Sequence, residues 1–177
     1  AKLHQQEAKV RALLARDKPY KALSLCNARL GAQPVDRFLP LRAEAYNRLG
    51  EHQKARQDAR AWLDKAPDDR EGLFQLALAE QGIGHGDSAI MLLDRLADGG
   101  GAPNIRYQLA LAYQQVGRCG YALAQVRSVP ADTATDRRWA PRRSSSRPRA
   151  ARSLVPASCR GARGRRRTTA RRAAAPC

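Results

Sequence analysis

The sequence predicts an all-α fold, an array of about four helix–turn–helix units followed by a disordered Arg-rich tail. Three observations predict it. Ala and Leu are abundant while Val and Ile are sparse, and only 5% of the residues are aromatic although 43% are hydrophobic. That balance favours helices over sheets. A small residue, a Tyr, a Gly and another Ala then recur in fixed order at spacings of 33 or 34, the signature of stacked repeats. Finally, the composition changes abruptly after Asp136.

The first unit, about 3–35, is the most degenerate. Val10, Leu13 and Asp17 occupy the recurring positions, and only Ala22 and Pro34 keep the usual type. Asp17 and Pro19 are expected to cap and open its second helix. The second unit, 36–69, is the clearest, with Ala43, Tyr46, Gly50, Ala55 and Pro67. Ala43 is expected midway along a first helix, where a small side chain lets the second helix approach. Tyr46, three residues on and on the same face, fills the gap to the neighbouring unit. Gly50 ends the helix in a left-handed conformation, Ala55 marks the close contact on the second helix, and Pro67 follows that helix. The third unit, 70–102, repeats this with Ala77, Gly84 and Ala89, but Glu80 replaces the aromatic and ADGGGAP makes a looser turn in place of the final Pro. The fourth, 103–130, carries Ala110, Tyr113, Gly117 and Ala122 and ends in a short second helix with no polar cap after it.

These residues resemble the tetratricopeptide repeat family, whose unit is a helix–turn–helix of about 34 residues. The resemblance covers about 130 residues. It implies a right-handed superhelical array whose first helices line a concave, peptide-binding surface. The positions it places on that surface are His4, Glu7, Arg11 and Leu14, then Arg37, Pro40, Glu44, Asn47 and Arg48. They continue with Glu71, Phe74, Leu78 and Gln81, and end with Asn104, Tyr107, Leu111, Gln114 and Gln115. The first half of this groove is charged with mixed sign; the second is apolar with amides at its edge. A segment with apolar anchors and a few charges suits it. Phe74 and Tyr107 serve either that groove or the packing between units, and Asn47 and Gln114 either bind or are simply solvated. The chain departs from the family at Glu80 and at Trp62, where a small residue is usual. It also lacks the Lys, Asn and Arg set with which some members clamp a C-terminal carboxylate, since Glu7 stands where the first Lys is wanted. That disfavours a receptor for chaperone tails.

No catalytic constellation emerges. His4, His52 and His85 are isolated in sequence and read as exposed helix or turn residues, and no nucleophile pairs with a base. Cys26, Cys119, Cys159 and Cys177 form no CxxC pair, so neither a metal site nor a disulfide framework is expected. Cys26 reads as a buried, inert thiol. No enzyme activity and no cofactor are expected. No run of about 18 apolar residues crosses a membrane. The chain opens at Ala1 without a charged-then-apolar leader, which reads as a trimmed chain or as a protein whose signal has been removed. The sequence determines no compartment; the cytoplasm is one expectation and, where a signal has been removed, the periplasm is the other.

The net charge of +17 is unevenly spread, because 137–177 holds 14 Arg and no acidic residue. With few large apolar side chains, 131–177 cannot fold alone. Nucleic-acid binding, a tail without a role, and a GC-rich gene read out of frame are the three readings of it. The function expected of the whole is a scaffold or adaptor that receives a partner protein or peptide in the groove. The alternatives are a nucleic-acid-associated protein that uses the tail, or an adaptor fragment of a larger enzyme or envelope assembly. The uncapped end of the array near 121–129 is expected to pair with a second copy or with further repeats.

Overall fold

The computed structural model of the chain describes residues 2–32, 36–98 and 102–128. Pro34, the glycines at 99–101 and the tail with its three readings lie outside the described residues. Among those described, eight α-helices follow one another without a strand. They are α1 (Lys2–Ala15), α2 (Pro19–Ala32), α3 (Leu39–Leu49), α4 (His52–Leu63), α5 (Arg70–Ile83), α6 (Gly86–Asp98), α7 (Pro103–Gln115) and α8 (Cys119–Arg127). A 3₁₀ turn, Asp36–Phe38, leads into α3. Each helix packs on the next, and the odd-numbered helices also touch along the series α1, α3, α5, α7. The first helices of the pairs therefore make one continuous layer, with the second helices behind it.

The turn inside each pair shows how four different local sequences reach one geometry. Gly50, Gly84 and Gly117 are left-handed, with φ of 78°, 103° and 77°. At the equivalent place in the first pair stands Asp17, also left-handed at φ 55°. Each of these residues donates its N–H three residues back, to Leu14, Asn47, Gln81 or Gln114, and the next residue donates five back, to Leu13, Tyr46, Glu80 or Tyr113. These paired bonds satisfy carbonyls that the helix end would leave orphaned. Asp17 thus ends α1 rather than capping α2, a correction to the expectation from the sequence. Asp tolerates the left-handed region better than most residues, so the recurring position keeps its conformation after losing its Gly. Pro19 does open α2.

Packing at the recurring small residues is tight. Ala22, Ala43, Ala55, Ala77 and Ala89 are completely buried, Ala110 is buried, and Ala122 on the last helix is half-buried. Three apolar clusters run along the array. Val10, Leu14, Cys26, Phe38 and Leu41 fill the first. Alanines 43, 55, 59 and 79, flanked by Tyr46 and Leu76, fill the middle one. Leu73, Ile90, Leu93, Leu96, Ile105, Leu109 and Tyr113 anchor the last. Helix α8 contributes no fully buried residue, and its Tyr121 is exposed while stacking on Tyr113 at 5.3 Å.

Candidate partner-binding face

The layer of first helices carries most of the positions singled out from the sequence, and it divides into two chemically distinct stretches. At one end α1, α3 and α5 frame an open recess of about 300 Å³. His4, Glu7 and Arg11 of α1 form one wall, and Arg37 of the 3₁₀ turn with Pro40 at the start of α3 form another. Asp69 and Glu71 at the start of α5 close it, with Trp62 from the end of α4. Leu14, expected on this face, is instead buried in the first core at 2% exposure, because its helical phase turns it toward α2 and α3.

Charge in the recess is largely answered from within. Arg11 donates Nη1–H and Nη2–H to the two carboxylate oxygens of Glu71 at 3.0 and 2.8 Å. This fork-to-fork pair joins the first unit directly to the third, and the hydrogen bond to Glu71 holds the Arg11 guanidinium above its usual pKa. Asp69 caps α5 by accepting from the Gly72 N–H at 2.7 Å and also accepts from Trp62 Nε1–H at 2.8 Å. Glu7 lies 4.0 Å from Arg11 and 3.7 Å from His4. Arg37 has no ion-pair or hydrogen-bond partner among the described residues.

Further along α3, Glu44 and Arg48 pair at 2.7 Å one helical turn apart, and Arg48 also approaches Asp17 at 3.6 Å. Asn47 is turned inward: its amide donates to the backbone oxygen of Gln75 at 2.9 Å, and its carbonyl lies 3.3 Å from His52 Nδ1. It ties α3 to α5 rather than facing a ligand, an outcome that neither alternative from the sequence contained. On α5 and α7 the face becomes apolar. Phe74 packs against the last core cluster, while Leu78, Tyr107 and Leu111 are half-buried. Amides flank them, with Gln115 Nε2–H donating to the Gln81 carbonyl at 3.2 Å and Gln114 half-buried beside it in sequence.

The two departures from the repeat pattern have defined roles. Glu80, at 3% exposure, meets Arg60 at 3.0 Å, Arg56 at 4.0 Å and His85 at 2.6 Å. The buried carboxylate that replaces an aromatic is thus held by α4 and by the turn after α5. His85, read from the sequence as isolated, is one of its partners. Trp62 belongs to the recess wall, and its indole lies so close to α5 that a Cβ at position 72 would come within 2.7 Å of it. Sequence reasoning noticed Trp62 but did not place it, and it missed Asp69. The signal was available in the Gly inside a helical stretch three residues after a cap-type Asp. Cys26 is fully buried, and burial pushes its thiol up from 9.0 to about 12. No metal-binding cluster and no helix long and apolar enough to cross a membrane occur among the described residues.

No family model and no curated protein match the chain. Among solved structures it is similar to MamA from Desulfovibrio magneticus RS-1, in a form spanning residue 41 to the end and in a double mutant named ArsTM. Each has a TM-score of 0.57 and 17% identity, over 70% of this chain and 71% of the other. A likeness at that identity concerns the fold, and it supports a tetratricopeptide-like helical repeat.

Proposed function

We propose that the chain is a protein–protein interaction scaffold whose first-helix face receives a segment of a partner protein. In this reading residues 1–130 form the repeat domain, the Arg-rich tail is an appendage, and the chain binds rather than catalyses. The observation that carries it is the half-buried apolar stretch of Leu78, Tyr107 and Leu111, continuous through α3 and α5 with the charged recess. Such a surface offers anchors for apolar side chains and polar groups to fix register. The test is capture of partners by the full chain and by a Leu78→Arg, Leu111→Arg variant, at low and high salt. Protein partners that survive high salt on the original chain and are lost by the variant support the scaffold. Recovery of nucleic acid alone, released by salt, overturns it in favour of the tail.

A further inference from the structure

The first helix pair is the most basic part of the described array. Within 2–32 it carries seven Lys and Arg side chains against two carboxylates, Glu7 and Asp17. Both carboxylates are engaged away from most of those cations. Glu7 lies in the recess near His4 and Arg11, and Asp17 lies 3.6 Å from Arg48 of the second pair. Lys9, Arg16, Lys18, Lys21 and Arg29 have no ion-pair partner among the described residues.

The second pair shows which of these share a face. Arg42 on α3 and Lys54 on α4 both stand over the Tyr46 ring, at 5.9 and 5.7 Å, and Arg42 reaches Asn27 of α2 at 3.2 Å. That side of the second pair is therefore the one turned to the first. One repeat earlier the same positions hold Lys9, Leu13 and Lys21, and Arg16 follows Lys9 two turns along α1. Where the second pair has Asp58 to answer Arg42, the first has Leu25. The outer side of the first pair thus sets two half-buried leucines, Leu13 and Leu25, among exposed cations, with no carboxylate at these positions. Tyr20, next to Lys21, is 76% exposed. No helix pair among the described residues covers this side.

A second copy is a poor occupant. Stacked end to end it would present α7 and α8, with Arg106, Arg118 and Arg127 and no acidic residue; stacked like to like it would present the same lysines. Either way cations would face cations. A nucleic acid is also a poor fit. The cations are mainly Lys rather than the planar Arg fork, one ring alone is offered for stacking, and the leucines have no counterpart in a phosphate backbone. A bilayer answers each element. Anionic headgroups meet the ammonium groups, the lysine stems lie along the leucines, and the Tyr20 ring seats at headgroup level. We propose that the outer side of the first pair docks the protein on a membrane surface rich in anionic phospholipid. The chain rests on the bilayer there without crossing it. Glu7 and Arg11 are each two residues from Lys9 and so lie on the opposite side of α1, which leaves the first-helix face free. The proposal is independent of the scaffold reading.

Lysine acetylation, read residue by residue by mass spectrometry, tests this on the full chain. The sequence has no Lys after Lys65, so contacts of the Arg-rich tail do not register in it. The chain is labelled alone, with phosphatidylcholine vesicles, with vesicles that also contain phosphatidylserine, and with a single-stranded oligothymidine. On the phosphatidylserine vesicles Lys9, Lys18 and Lys21 should be labelled several-fold more slowly, while Lys54 and Lys65 keep their rates. A Lys9→Gln, Lys21→Gln variant should keep its helical signal and bind those vesicles about five-fold less for each lysine removed. Vesicle binding without that protection would assign the binding to the tail and overturn the proposal. Equal protection by phosphatidylcholine alone or by the oligonucleotide would also overturn it, the second in favour of a nucleic-acid site. So would failure to sediment with either vesicle. None of these results touches the scaffold, which stands or falls on Leu78 and Leu111.

Discussion

The junction between α4 and α5 and the junction between α6 and α7 have the same helical geometry and opposite chemistry. Behind the second lies an apolar cluster of Leu, Ile and Tyr side chains. The first is floored by alanines, and the buried polar residues Asp58, Gln75 and Glu80 all belong to its two helices. There Arg42 grips Asp58 at 2.6 and 2.7 Å, which raises the arginine's pKa, while Asn47 holds Gln75 and Arg60 holds Glu80. The contrast recurs at one position: Glu80 reaches back to α4 through ions, whereas Tyr113 reaches back to α6 through one hydrogen bond to Asp94 at 3.1 Å. Burial, with the Asp94 carboxylate alongside, pushes the Tyr113 phenol up. A repeat therefore fixes where helices meet, not what holds them there. The ionic junction should depend on completed partnerships and the apolar one on filled volume.

The largest effect should come from emptying the apolar junction. Leu93→Ala, at a fully buried site, should cost about 2–5 kcal/mol in urea unfolding followed by helical signal. At the ionic junction Glu80→Ala should cost about 2 kcal/mol, because Arg60 is half-exposed and regains water once its partner has gone. Glu80→Tyr should recover part of that loss, and no recovery would show that the cluster is more than a substitute for an aromatic.

Gly72→Ala sharpens the comparison from the recess side of the same junction. In an ordinary helix interior this change gains about 1 kcal/mol. Here the new Cβ would lie 2.7 Å from Trp62 and 3.1 Å from Leu63, so a loss of about 1–3 kcal/mol is expected. A Trp62→Ala background should abolish the loss, as a double-mutant cycle would show. At the turns, Gly84→Ala should cost about 1 kcal/mol and Asp17→Gly should gain a few tenths, since only the former places a side chain with no local hydrogen-bonding role in the left-handed region.

A separate effect is expected at high pH. The folded state holds the Cys26 proton more tightly than the unfolded chain does, with a pKa of about 12 against 9.0. Its contribution is complete below pH 9.0 and falls away as pH rises toward 12. Alkylation of the Cys26 peptide, read by mass spectrometry at pH 8, should be slow in the folded chain and fast in urea. Rapid labelling of the folded chain would refute its burial.

The helix pairs were legible because their marks are steric: a small residue at a close contact, a Gly where the backbone turns left-handed. Both follow from residue type and spacing. What escaped depended on partners distant in sequence. Asp17 has the residue type of a cap, and only the backbone shows that it stands in for Gly. Glu80 read only as a departure from the repeat because Arg60, His85 and Arg56 could not be assigned to it from spacing alone. Asn47 and Arg11 occupy groove positions, but whether such a side chain faces a ligand or a neighbouring helix is decided by residues 28 and 60 places away, Gln75 and Glu71. The division of the face into a charged and an apolar half was visible because it needs only the identity of each residue on the stripe.

The most direct test of the account is site-specific photo-crosslinking of the full chain to its captured partner. One probe replaces Leu78, on the first-helix face; another replaces Met91, which is 75% exposed on α6. Crosslinked partner protein from position 78 with none from position 91 is the predicted result. Crosslinks from position 91 alone, or equally from both, would contradict the assignment of the first-helix layer as the working surface.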